Sequence, residues 1–142
     1  MSNSYDDHAA AVLALLRAGA NLTDKVYDGK IPDPRPAPPY VQVYISRERP
    51  RGAEGNTLAG TSDQIILRAI CHCVGGGDDA VAARAMAAAA EAALLDVVPA
   101  ISGRECQPIA LESSQPPQPD ETTGTLYMDQ IDTYRLVTTP SA

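Results

Sequence analysis

Between residues 26 and 44 the chain reads VYDGKIPDPRPAPPYVQVY, with five prolines standing between Ile31 and Tyr40. Proline has no N–H to give to a ladder, and its φ is held near the polyproline II value. This stretch can therefore be neither a helix interior nor a central strand. Its flanks are β-formers, so a stiff extended tether separates two short strands. Three readings compete: a ligand for a proline-reading module, a linker between domains, or a connection inside one sheet. PRPAPP approximates a PxxP ligand, but such ligands usually lie in free tails, and this one is bracketed by strand formers.

The remaining sequence favours the connection. A first helix is expected from a cap at Asn3 or Ser4, with Asp6 and Asp7 at its positive end, to a stop at Gly19. Val12, Leu13, Leu16 and several alanines give it one apolar face. A short strand over 24–27 ends at the turn pair Asp28-Gly29. After the prolines, residues 40–45 alternate: Val41, Val43 and Ile45 face one way, Tyr40, Gln42 and Tyr44 the other. A polar loop over about 47–62 follows. The next strand, 64–74, puts Ile65, Leu67, Ala69, Cys71 and Cys73 on one face and a mixed set with Arg68 and His72 on the other. Gly75-Gly76-Gly77 ends it, and Asp78 caps a second helix over about 79–98, closed by Pro99. Ala82, Met86, Ala89, Ala90, Ala93, Leu94 and Val97 form its apolar face, with Arg84 and Glu91 opposite. Strands over about 105–112 and 126–137 finish the chain, separated by a second polar loop over about 113–125. The order is α-β-β-β-α-β-β: one α+β domain spanning 1–142, an antiparallel or mixed sheet with two helices packed on one face.

Composition narrows the function. The chain has 142 residues, enough for one ordinary core, and only 4% aromatic residues, so alanine and aliphatic side chains must do most of the packing. Its formal charge of −7 argues against a binder of nucleic acid held by phosphate contacts. No apolar run approaches membrane-spanning length, and the N-terminus lacks a signal-type pattern. The three cysteines do not form a disulfide framework, so a soluble protein made in a reducing cytoplasm is expected.

Catalytic and metal chemistry find little support. Cys71 and Cys73 share a strand face while His72 points away, unlike the turn-borne knuckles of zinc sites. GGGDD lacks the ending of a phosphate loop, and its aspartates would repel phosphate. His8, in a first helical turn, is expected to be exposed. Asp129 and Asp132 lie on opposite faces of a strand, a poor geometry for general acid–base work. No cofactor, metal or catalytic residue is therefore assigned. The arginine cluster in SRERPRGAEG has two readings. It is a solvated loop in which Glu48 and Glu54 offset the charge, or a subunit contact. On the second reading Arg47, Arg49, Arg51 and Glu54 form one half of an interface, and Asp120 and Glu121 in the other polar loop form its partner.

VYDGKIPDPRPAPPYVQVY, then LAGTSDQIILRAICHCVGG, an alanine-rich helix and DTYRLVT near the end together resemble the tail terminator proteins of long-tailed (siphovirus-type) actinobacterial phages, across roughly residues 10–138. The resemblance implies a non-enzymatic virion protein. It would be made in the host cytoplasm and lodged at the head-proximal end of the tail. There it would form a ring of its own copies, six by expectation, that caps the tail tube. Its other partners would be the major tail tube protein and the head-tail connector, with no membrane and no specific nucleic-acid contact, although DNA passes through the ring. A neck or head-completion protein is the alternative within the same class. A small cytoplasmic metal protein or enzyme using Cys71, Cys73, Cys106 and His8 is the alternative outside it. On the ring reading, the stiff proline segment aims the Tyr40 strand and its loop toward a neighbour at low entropic cost.

Overall fold

A computed structural model describes residues 4–48, 64–77, 79–121 and 126–141. In chain order the elements are α1 (Ser4–Arg17), β1 (Val26–Asp28), β2 (Tyr40–Glu48), β3 (Ile65–Gly76), α2 (Val81–Leu94), β4 (Arg104–Cys106), β5 (Ala110–Ser114), β6 (Gln118–Asp120) and β7 (Tyr127–Pro140). The seven strands form one mixed sheet in the order β1-β2-β3-β7, with β4, β5 and β6 lined up along the outer edge of β7. Among the described residues only β1 and β2 run parallel. The expected α+β class and the order α-β-β-β-α-β-β hold, with the β regions after α2 divided into four strands.

The β2–β3–β7 register sorts the side chains into two faces. Val41, Val43, Cys73, Cys71, Ala69, Leu67, Tyr134 and Leu136 lie under the helices. Val12, Leu13 and Leu16 of α1 and Met86, Ala87, Ala90 and Leu94 of α2 complete that core. The opposite face carries Tyr40, Gln42 and Tyr44 on β2, Arg68, Ile70, His72 and Val74 on β3, and Tyr127, Asp129 and Ile131 on β7. Among the described residues no helix covers it. The prolines do connect neighbouring strands of one sheet, as β1 pairs with β2. They cross the open face: Pro38 lies against Gly76, where an added Cβ would meet its Cγ at 2.8 Å.

Several local expectations are corrected. α2 ends at Leu94 and not near residue 98, because Leu95 turns extended and Asp96 takes a φ of 64°. The backbone there pairs instead with Ile109, through Asp96 N–H to its carbonyl and its N–H to Val97, both at 2.9 Å. The buried stripe of α2 is Ala83, Met86, Ala87, Ala90 and Leu94, so the apolar face is rotated from the one expected, and Ala82, Ala89, Ala93 and Val97 flank it half-buried. The cap assigned to Asp78 lies outside the described residues, as does Asn3; Asp79 Oδ1 accepts from the Val81 N–H at 3.0 Å. β3 runs on through Gly75 and Gly76. The strand expected over 105–112 is two segments, β4 and β5, and the second polar loop contributes β6. Pro119 is tolerated in β6 because that strand pairs on one side only.

Candidate functional site

The residues assigned to an interface do not converge within one chain. Arg47 lies in β2 and not in a loop, because the hairpin with β3 continues through Arg47 opposite Leu67 and Glu48 opposite Ile66. Its guanidinium sits 4.6 Å from the Tyr5 ring centroid, and the Tyr5 hydroxyl donates to the Ile45 carbonyl at 2.9 Å. Arg47 is exposed. Arg49, Arg51 and Glu54 lie outside the described residues. Asp120 is the last residue of β6 and half-buried, and Glu121 beyond it is exposed. Asp120 aligns through Tyr127 with Gly76. Arg47 and Asp120 are therefore separated along the sheet by the length of β3 from residue 67 to 76, about 30 Å. Any pairing between them must join two copies.

Next to Asp120 the open face holds an arrangement that the sequence reading missed. A cleft of about 220 Å³ is lined by Arg35, Tyr40, Gln42, Tyr44, His72, Val74, Asp120, Tyr127 and Asp129. His72 Nδ1 and Asp129 Oδ2 are 2.9 Å apart. The Tyr44 ring stands edge-on to His72, centroids 5.3 Å apart, and its hydroxyl accepts from Gln42 Nε2 at 2.8 Å. Arg35, from the proline segment, lies 5.1 Å over Tyr127. Tyr40 is 1% exposed and packs edge-on against Tyr27. Its hydroxyl and Asp129 Oδ1 are buried without a hydrogen-bond partner among the described residues. Burial pushes the Tyr40 phenol up from its ordinary pKa, the Arg35 charge opposing, so it stays protonated at neutral pH. The alternation of Tyr40, Gln42 and Tyr44 was a visible signal for a polar face. The pairing of His72 with Asp129 was not, because it depends on the register between β3 and β7, which are far apart in the chain.

Further along the same face Arg68 bridges two strands. Its Nη1 donates to Glu48 Oε2 at 2.7 Å, and its Nε donates to Glu112 Oε2 at 2.8 Å. The Arg68 hydrogen bond holds the Glu112 carboxyl below the usual range. A lowered folded-state pKa stabilises the fold above the unfolded value, and that contribution fades as pH falls through the lowered one. The pair is well exposed, so the effect is small. Arg68→Met is expected to raise the Glu112 midpoint toward that of a free glutamate, as read by carboxyl-carbon NMR titration.

The helix-covered face explains the cysteines and histidines. Cys71 and Cys73 are fully buried there, while His72 faces the other way, as expected. Burial pushes the Cys71 thiol up to about 12 and raises Cys73 further. Half-buried Cys106 is raised less. A thiol reagent at pH 8 should therefore label Cys106 first and reach Cys71 and Cys73 only after denaturation, as mass spectrometry can follow. His8 is a correction: it is fully buried, with Nε2 2.7 Å from Thr138 Oγ1, which also accepts from Arg104 Nε at 3.1 Å. His8, Val12 and Leu16 form one i, i+4, i+8 stripe, and that spacing foreshadowed the burial. Asp129 and Asp132 do lie on opposite faces. Asp132 is buried, accepting from Ser114 Oγ at 2.6 Å and from Gln130 Nε2 at 3.2 Å.

No family model matches the chain, and no curated protein matches it. Among solved structures, a chain from the virion of a native gene transfer agent particle superposes with a TM-score of 0.67 at 18% identity, covering 92% of each chain. A second solved chain superposes with a TM-score of 0.63 at 20% identity, covering 99% of this chain and 98% of its own. At these identities the likeness is one of fold, and it runs through nearly all of both partners.

Proposed function

We propose that this chain is a non-enzymatic structural protein of a phage-like virion, and within that class a tail terminator. Copies of it close into a ring, six by expectation, that caps the tail tube, ends its growth and meets the head connector. The observation that carries the reading is the end-to-end fold match to a virion chain, joined to the terminator-like phrases in the sequence. Two structural features support it. Arg47 and the Asp120–Glu121 segment lie at opposite ends of the sheet, an arrangement that head-to-tail contacts in a closed ring can use. The charge of −7 suits a ring through which DNA slides without being held.

The test is negative-stain imaging of the purified chain with and without tail tubes. Rings of uniform diameter seated on tube ends are expected; binding to portal particles but not to tubes would favour a neck protein. Reversing Arg47, Arg49 and Arg51 to glutamate should leave the far-ultraviolet circular dichroism unchanged. It should raise the concentration needed for half-assembly by about tenfold or more. An unaltered elution volume would remove the arginines from the interface.

A further inference from the structure

The cleft on the open face has chemistry that the fold itself does not consume. Its walls are aromatic (Tyr40, Tyr44 and Tyr127), and Asp129, held through Oδ2 by His72, stands among them. Tyr40 and Asp129 both line it, and the buried Tyr40 hydroxyl and Asp129 Oδ1 lack partners among the described residues. An unpaired buried carboxylate oxygen is expensive, and what satisfies it must be a donor. Flat aromatic walls with a carboxylate at the base fit a planar cation that carries several N–H groups. Arg35 over Tyr127 shows the same pairing at the rim. The cleft exceeds the share of one water molecule, about 30 Å³, several times over, so a side chain can enter.

We propose that this cleft is a socket for an arginine side chain from the 47–51 segment of a second copy of the chain. The inference rests on the ring reading and gives it a contact. SRERPRG, residues 46–52, is the densest run of arginine in the sequence, with three in seven residues. Arg47 does not fill the socket of its own chain, because it lies on the helix-covered side of β2, with its guanidinium against the Tyr5 ring. One N–H of the entering guanidinium goes to Asp129 Oδ1 and another to the Tyr40 hydroxyl, while the tyrosine rings cover its faces.

The experiment uses the full-length chain with Arg47, Arg49 and Arg51 reversed to glutamate, so that no copy competes, labelled with ¹⁵N. It is titrated with a synthetic SRERPRG peptide and with the same peptide carrying glutamine for arginine. Amide shifts centred on Gln42, His72 and Asp129 are expected. Binding should weaken about tenfold with the glutamine peptide, and by a similar factor in Tyr40→Phe and Asp129→Asn, as loss of a charge-assisted hydrogen bond implies. Tyr40→Phe keeps the ring and its packing, so a weakened response there reports the hydroxyl and not misfolding. Equal binding of both peptides, shifts confined to another surface, or no shifts at millimolar peptide would each overturn the socket. Rings seen by negative stain for the unaltered chain alongside an unresponsive cleft would leave the terminator reading standing. Peptide binding at the cleft with no ring under any condition would keep the socket and remove the ring.

Discussion

Gly75→Ala is expected to destabilise the fold by about 3 kcal/mol, the upper part of the range for forced overpacking. For a chain of this size that is a fall in Tm of roughly 10 °C. Gly75 lies in β3 on the face covered by α2. A Cβ placed there would come within 2.3 Å of the Ala83 backbone nitrogen and 2.8 Å of the Ala82 carbonyl carbon and Cβ. These are backbone atoms in the first turn of the helix, so relief requires lifting α2 away from the sheet. The neighbouring Gly76→Ala change is the internal control. Its Cβ meets the tip of the Pro38 ring, which a small movement of the crossing segment can relieve. Thermal unfolding of both variants should rank Gly75→Ala well below Gly76→Ala. Equal and small losses would mean that α2 does not approach β3 this closely.

Leu94→Ala is expected to cost about 3–4 kcal/mol through lost burial and the cavity left behind. Leu94 is fully buried at the last turn of α2. It shares a lining with Val12 of α1, Leu67 and Ala69 of β3, and Tyr134 and Leu136 of β7, so three layers of contact meet at one side chain. Its neighbours are themselves buried and held by their own packing, so the space is not refilled without further loss of contact. Chemical denaturation should show a lower midpoint with an unchanged slope. A loss below 1 kcal/mol would show that the two helices and the sheet are not joined through this residue.

What could be read in advance depended on local period. The alternation of 40–45 and 65–73 identified both long central strands and sorted their faces correctly, since side chains on a strand change face at every residue whatever it pairs with. Boundaries set by distant partners were not readable. Ile109 draws residues 96–97 out of α2, and the β3 ladder draws Arg47 and Glu48 into β2. The proline segment shows both sides. Its composition required an extended, non-ladder connection, but only packing sent it across the uncovered face, with Pro38 on Gly76 and Arg35 over Tyr127.

The sequence by itself determined the two helices, the strands between them and the two-faced character of the central strands, because backbone propensity and side-chain period are properties of neighbours along the chain. Only the tertiary structure decided that Tyr40, His72, Asp120 and Asp129 gather in one cleft and that Arg47 stands at the far end of the sheet. Those relations are set by strand register, which fixes distances between residues 30 to 90 positions apart through hydrogen bonds that no local pattern encodes.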